Sequence, residues 1–147
     1  MAAIIPPGPE GSWPLRYDKL VQPVLDKHCV SCHKPGGNEK AIARLDLTPE
    51  KSYVALVNYG SPSLYGYVRG YYGRSQSDPG KGAALTSPLL AHLRKGHHDV
   101  KLDADAWARL ITWMDTYGQR QGHFSPEQEQ RLREFRERLG PLMAERP

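Results

Sequence analysis

The sequence predicts an all-α fold with long loops and an additional helix at the C-terminus. Apolar residues recur at helical spacing in several segments, and helix-starting pairs such as Thr48-Pro49 and Ser87-Pro88 precede two of them. A stretch rich in Gly, Tyr, Ser and Pro lies between residues 58 and 84 and shows little periodicity. With 147 residues the chain can form one domain around a single core, although its hydrophobic content of 39% is low for that size.

The first 28 residues divide into an arm and a helix. Residues 1–15 are rich in Pro and Gly and are interpreted as an arm or linker. A helix is predicted over residues 17–28, where Pro23 is expected to cause a kink or to force an early start. The apolar side chains of this helix share one face: Tyr17, Leu20, Val21, Val24 and Leu25. The helix leads directly into Cys29.

The middle of the chain is expected to be rich in loops. Residues 34–38 are predicted to form a turn, and residues 45–47 a short extended segment. Thr48 is expected to cap a helix that ends at about Val57. The Gly- and Tyr-rich residues 58–84 are predicted to form one long loop.

Two helices follow this middle part. Ser87 is expected to cap a short helix that stops at Gly96, and Asp103 a strongly amphipathic helix that extends to about Tyr117. The apolar face of the second helix is formed by Trp107, Leu110, Ile111 and Met114. The principal domain is therefore assigned to residues 16–121.

Residues 122–147 are predicted to form a C-terminal helical extension. The pairing of Ser125 with Gln128 resembles a capping box, and the helix is expected to extend to about Leu139 before Gly140. Its apolar face is thin, which suggests packing on the outside of the domain.

The net charge of +4 lies entirely in the first 121 residues. These carry 15 basic and 11 acidic side chains, whereas residues 122–147 carry five of each. Such an excess can steer an acidic partner, and nothing further in the sequence indicates nucleic-acid binding. No apolar run reaches the roughly 18 residues of a membrane span, and the opening residues lack the features of a signal peptide.

Both cysteines of the chain lie in the stretch HCVSCHKPGG, residues 28–37, and His33 directly follows the second one. A CxxC pair can be a redox disulfide, half of a zinc site or, with His next to it, a haem attachment site. A zinc site needs further ligands, and no other Cys exists to supply them. A redox pair is expected at a helix N-terminus, whereas Cys29 and Cys32 follow a predicted helix. The sequence therefore favours covalent attachment of one haem c, with Cys29 and Cys32 as tethers and His33 as the proximal iron ligand.

Two segments resemble one branch of the class I-like c-type cytochromes. The stretch VQPVLDKHCVSCH is similar to the haem-binding segment of cytochrome domains in large multidomain proteins of the planctomycete type. SPLLAHLRKGHHDVKLDADAWARLITWMDTYG resembles their distal-ligand loop and closing helix, and also the C-terminal haem domain of the hydrazine synthase alpha subunit. The resemblance implies a cytochrome c-like domain in which the first and last helices cross, bringing Leu20 and Val24 against Leu110 and Met114.

The same resemblance directs attention to GHHDVKL as the source of the sixth iron ligand. Small cytochromes c present a Met at this point, where this chain has histidines. His97 is the first choice, His98 the alternative, and His92 a third candidate, whereas Met114 is expected to lie in the core. His28 and His123 are interpreted as surface or packed histidines. Two imidazole ligands would leave the iron without an open coordination position. They would also favour a lower redox potential than a His/Met pair does.

The expected function is that of a monohaem cytochrome domain, not itself an enzyme, which carries single electrons to or from a redox protein or enzyme domain. A haem enzyme acting as a peroxidase or on small nitrogen or gas molecules, and a haem-based sensor with a displaceable distal ligand, remain alternatives. Because bacteria attach haem to CxxCH outside the cytoplasmic membrane, the expected location is periplasmic or extracellular, in an exported protein whose signal peptide is not part of this sequence.

Overall fold

A computed structural model describes residues 15–71, 74, 78 and 80–121, together with residues 127, 128, 130, 131, 134, 135 and 137–139 near the C-terminus. Across these residues all helix or strand structure is helical, which confirms the all-α class. No helix in the described part is long and apolar enough to cross a membrane. The predicted arm, apart from Leu15, lies outside the described residues.

The predicted first helix is two short helices, α1 (Tyr17–Leu20) and α2 (Gln22–His28). Pro23 stands in the first turn of α2, where its missing N–H would have no partner within the helix. The break between the two helices therefore lies just before Pro23. This agrees with the expectation that the proline stands near the start of a helix. The backbone N–H of Cys29 still bonds to the carbonyl of Leu25 at 2.8 Å, so α2 leads without a gap into the cysteine motif.

The next two helices differ from the prediction. Helix α3 (Glu39–Arg44) was not expected; the side chain of Asn38 caps it by accepting the N–H of Ala41 at 3.0 Å. No residue of α3 is buried, so it has no apolar face that periodicity could reveal. Helix α4 (Ser52–Val57) begins four residues after Thr48, and the predicted cap residue lies instead in a preceding turn.

The long loop predicted over residues 58–84 is wrong in its first half. It contains the eight-residue helix α5 (Leu64–Tyr71), in which Leu64 is the buried residue. Tyr67 and Tyr71 stack one turn apart on this helix, with ring centroids separated by 4.4 Å. Two glycines within the helix lower its intrinsic helix propensity, which explains why the sequence pattern did not predict it.

Helices α6 (Pro88–Lys95) and α7 (Ala104–Asp115) confirm the prediction closely. The side chain of Ser87 accepts the N–H of Leu90 at 3.3 Å, and that of Asp103 accepts the N–H of Ala106 at 2.8 Å. Helix α6 ends at Gly96, whose φ of 97° is favourable only for glycine. Helix α7 ends two residues before the predicted Tyr117.

The core lies where α1 packs against α7. Leu20 and Leu110 are each 1% exposed and belong to one buried cluster with Val24 and Met114. Burying each leucine stabilises the fold by about 1.5–3 kcal/mol. The predicted grouping of these four side chains is therefore present in the core, while a cytochrome-like crossing of the helices stays a prediction.

An aromatic group extends the core beyond the predicted face of α7. Trp113 is 1% exposed, and its ring centroid lies 5.3 Å from Tyr17 and 6.4 Å from Tyr53. Its indole N–H donates to the carbonyl of Gln119 at 3.1 Å. The sequence pattern placed Trp107 on the apolar face, but Trp107 is only half-buried and Trp113 occupies the centre.

The C-terminal extension is helical at each described position between residues 127 and 139. The predicted start at Ser125 lies outside the described residues. Phe135 and Leu139 are 57% and 47% exposed, so these two apolar side chains do not enter the core.

Candidate functional site

The cysteine motif forms a compact turn directly after α2. The N–H groups of Cys32 and His33 both point to the carbonyl of Cys29, at 3.2 and 3.1 Å. The turn is fixed to the following chain because Asn38 N–H bonds to the carbonyl of Cys32 at 3.0 Å and Leu47 N–H bonds to that of His33 at 2.9 Å. These backbone bonds hold the two cysteines and the histidine on one turn.

Gly37 closes this turn by a close backbone approach. A Cβ atom at position 37 would lie 2.7 Å from the carbonyl oxygen of Cys32, 2.9 Å from that of Ser31 and 3.0 Å from that of Lys34. All three neighbours are backbone atoms, which cannot rotate away as a side chain would. The geometry therefore requires glycine at this position of HCVSCHKPGG.

The two thiols do not have the properties of a redox pair. Cys29 is half-buried, Cys32 is exposed, and they are not joined by a disulfide. Burial, followed by the nearby Cys32, raises the pKa of the Cys29 thiol to about 11. A reactive thiol of the thioredoxin kind needs a lowered pKa and a helix N-terminus, whereas Cys29 follows a helix C-terminus.

His33 is held in a single tautomer. Its Nδ1 lies 2.8 Å from the carbonyl oxygen of Leu45, and because a carbonyl only accepts, Nδ1 carries the proton. In the neutral ring the lone pair is then on Nε2, the nitrogen available to a metal. Leu45 is positioned by α3, since its own N–H bonds to the carbonyl of Ala41 at 2.9 Å. The unpredicted helix thus orients the histidine of the motif.

His97 comes from the opposite part of the chain, 64 positions after His33. Helix α6 carries the chain to Gly96, and the turn there brings the His97 ring to a centroid distance of 5.9 Å from the His33 ring, with the planes tilted by 36°. Burial, and then charge on His92, His98 and His33, lowers the pKa of His97. The lowered pKa favours the neutral imidazole, the form that binds metals.

The other histidines occupy different positions around this pair. His98 is exposed, has a left-handed φ of 49° and places its ring edge-on to His97 at a centroid distance of 4.7 Å. His92 is exposed, and its Nε2 lies 3.0 Å from Nδ1 of His97. His28 has a buried Nε2 without a hydrogen-bond partner among the described residues. His123 lies outside the described residues.

The structure thus brings His33 and His97 together beside the cysteine turn, and their role as iron ligands stays a prediction. Among the described residues, no group of three or more His, Cys, Asp or Glu side chains is arranged to hold a metal ion. No known protein family, curated protein or solved structure matches this chain.

Proposed function

We propose that this chain is a monohaem c-type cytochrome domain that carries single electrons. Cys29 and Cys32 would attach the haem covalently, and His33 and His97 would ligate its iron from the two sides. The observation that carries the proposal is the juxtaposition of the His33 and His97 rings at 5.9 Å, with His33 directly following the only two cysteines.

The separation of the two rings fits a shared metal ion. Imidazole nitrogens bind metals at about 2.0–2.1 Å, so two rings on opposite sides of one ion have centroids about 6 Å apart. Ordinary ring contacts cover the same range of distances, about 4.5–7 Å. The hydrogen bond of His33 to Leu45 also supports the proposal, because it leaves Nε2 of His33 unprotonated, as a metal ligand must be.

A haem fits this donor set better than a bare metal ion does. It requires from the protein only two axial ligands and two thiols on one turn, whereas a structural zinc site requires four protein ligands. Met114, the one described alternative of the usual thioether type, is 2% exposed on α7 and belongs to the core cluster. It therefore packs rather than ligates.

The two histidines of the site would hold the haem iron and set its redox potential. The bound haem supplies a one-electron redox couple. His33 is oriented by Leu45, and its imidazole together with that of His97 would hold the iron and keep a substrate from binding it. Imidazole stabilises ferric iron better than a thioether does, so the expected potential lies below that of a His/Met cytochrome.

The charge distribution supports an acidic redox partner. The excess of basic residues in the first 121 positions would attract an acidic protein or enzyme domain that donates or accepts the electron. Haem attachment of this type takes place outside the bacterial cytoplasmic membrane, so we place the domain in the periplasm or the extracellular space.

The proposal is tested by producing the full chain together with a c-type haem attachment system. Haem that stays with the wild-type chain on a denaturing gel, and is lost in the double variant Cys29→Ser, Cys32→Ser, supports covalent attachment. His28→Ala provides a matched control, because it changes the residue beside Cys29 without removing a proposed ligand.

A low-spin spectrum in both oxidation states that carbon monoxide does not change supports electron transfer. A chain without covalent haem, or ferrous haem that binds carbon monoxide rapidly, would contradict it, and the latter result would favour the enzyme or sensor alternatives.

A further inference from the structure

We infer that His92 positions the distal ligand by accepting a hydrogen bond from Nδ1–H of His97, which keeps Nε2 of His97 free for the iron. The inference rests on the proposed function and adds a residue to it. Its basis is the 3.0 Å contact between Nε2 of His92 and Nδ1 of His97.

The local fold brings these two rings together. His92 lies on α6, and that helix ends at Gly96, which has a positive φ of 97°. His97 follows at once, and the two ring centroids lie 4.9 Å apart with planes inclined by 56°. The contact thus joins the ordered helix to the segment that carries the distal ligand.

Only one of the two neutral tautomer arrangements across this contact leaves His97 able to bind a metal. If Nδ1 of His97 carries the proton and donates it to Nε2 of His92, the lone pair of His97 is on Nε2. If the donor is His92 instead, Nε2 of His97 is protonated and cannot ligate. Iron binding at Nε2 therefore selects the first arrangement, and the hydrogen bond to His92 then stabilises it.

The proximal side shows the same device with a different acceptor. Nδ1–H of His33 donates to the carbonyl oxygen of Leu45 at 2.8 Å. Metal-ligating histidines almost always donate their second ring N–H to a nearby acceptor, which fixes the tautomer and ring orientation. On the distal side the acceptor is an exposed imidazole, a group that mutation can replace without opening a hole in the core.

The contact with His97 also gives His92 a role that differs from the role of His98. Its Nε2 is directed at His97, which makes it a partner of the ligand and not a competitor for the iron. His98 contacts His97 through an edge-on ring pair, with no hydrogen bond between the two rings. His98 therefore offers a control that alters a ring neighbour of the ligand without removing the hydrogen bond.

The test measures how fast cyanide displaces His97 from the ferric holoprotein. Loss of a hydrogen-bond partner to a metal ligand typically weakens metal binding by about 10–100-fold. We expect His92→Leu to accelerate cyanide binding by a factor in that range. His92→Gln, whose amide oxygen can accept the same bond, should restore a rate near that of the wild type. His98→Asn, in which Asn tolerates the left-handed backbone, should also stay near it.

Nuclear magnetic resonance of the low-spin ferrous protein provides a second measurement. The wild type should show a protonated Nδ1 on His97 with scalar coupling across the hydrogen bond to Nε2 of His92. Equal cyanide rates in the wild type and His92→Leu, or equal acceleration by His92→Leu and His98→Asn, would overturn the inference while a low-spin wild type keeps the proposed function. A high-spin wild-type spectrum would overturn both.

Discussion

Replacing Gly37 by alanine should destabilise the protein through the cysteine turn itself. The added methyl group would meet three backbone carbonyl oxygens at 2.7, 2.9 and 3.0 Å, where ordinary contacts of a Cβ atom lie at 3.4–4 Å. Relief requires the backbone of Cys32 to move by several tenths of an ångström, and its carbonyl accepts the N–H of Asn38. Overpacking of this kind costs about 1–3 kcal/mol.

The assay is urea unfolding followed by circular dichroism at 222 nm, with Gly70→Ala as the matched control. Gly70 lies in α5, and a Cβ atom there would have no neighbour within 4 Å. Alanine at position 70 should therefore stabilise the helix by about 0.5–1 kcal/mol, because glycine loses more backbone entropy on folding. Opposite signs for the two variants are expected. A Gly37→Ala protein as stable as the wild type would refute the close-packed turn.

Three further variants test the rest of the fold. Trp113→Ala should lower the free energy of unfolding by about 3–5 kcal/mol, as measured by urea denaturation, because the indole is fully buried; a loss below 1 kcal/mol would contradict its central position. Asp103→Ala should cost about 0.5–2 kcal/mol by removing the cap of α7, and an unchanged midpoint would show that the cap is dispensable. Hydrogen bonds from Thr48, together with the Lys51 ammonium, lower the pKa of Asp46 to about 2. Because an unfolded Asp titrates near pH 3.9, this stabilisation is complete above about pH 4 and is lost as the pH falls to about 2. Wild type should therefore lose stability across that window relative to Asp46→Asn, and parallel pH profiles of the two proteins would contradict the interaction.

The sequence predicted best those helices that combine a cap with an apolar face. The cap residues Ser87 and Asp103 predicted the starts of α6 and α7, and Gly96 predicted the end of α6. Each of these signals acts locally, through a side chain that accepts a backbone N–H or a glycine with positive φ. Local chemistry of this kind is readable from neighbouring residues alone.

The helices that the sequence missed lack such signals or oppose them. Helix α3 buries no residue, so its helical spacing carries no hydrophobic pattern. Helix α5 contains two glycines, and Leu64 is its buried residue, while Tyr67 stacks on Tyr71 and is only partly buried against the core. The carbonyl of Leu45 as partner of His33 could not be predicted either, because it depends on where α3 ends.

The site also combines features that depend on neighbouring residues with contacts that depend on how the helices pack. Cys29, Cys32 and His33 lie within five consecutive positions, so the proposed haem attachment could be inferred from the sequence alone. The approach of His97 to His33 depends on how α6 packs, and only the resemblance to cytochromes singled it out beforehand. The contact of His92 with His97 had no sequence signal beyond the spacing of the two residues.

Replacement of single histidines tests whether His33 and His97 together ligate one haem iron. The measurement is the spectrum of the ferrous holoprotein before and after addition of carbon monoxide, for the wild type, His97→Ala and His98→Asn. We expect low-spin haem that does not bind carbon monoxide in the wild type and in His98→Asn, and high-spin haem that binds it in His97→Ala. A His97→Ala protein that keeps the wild-type spectrum, or a His98→Asn protein that loses it, would show that His97 is not the ligand.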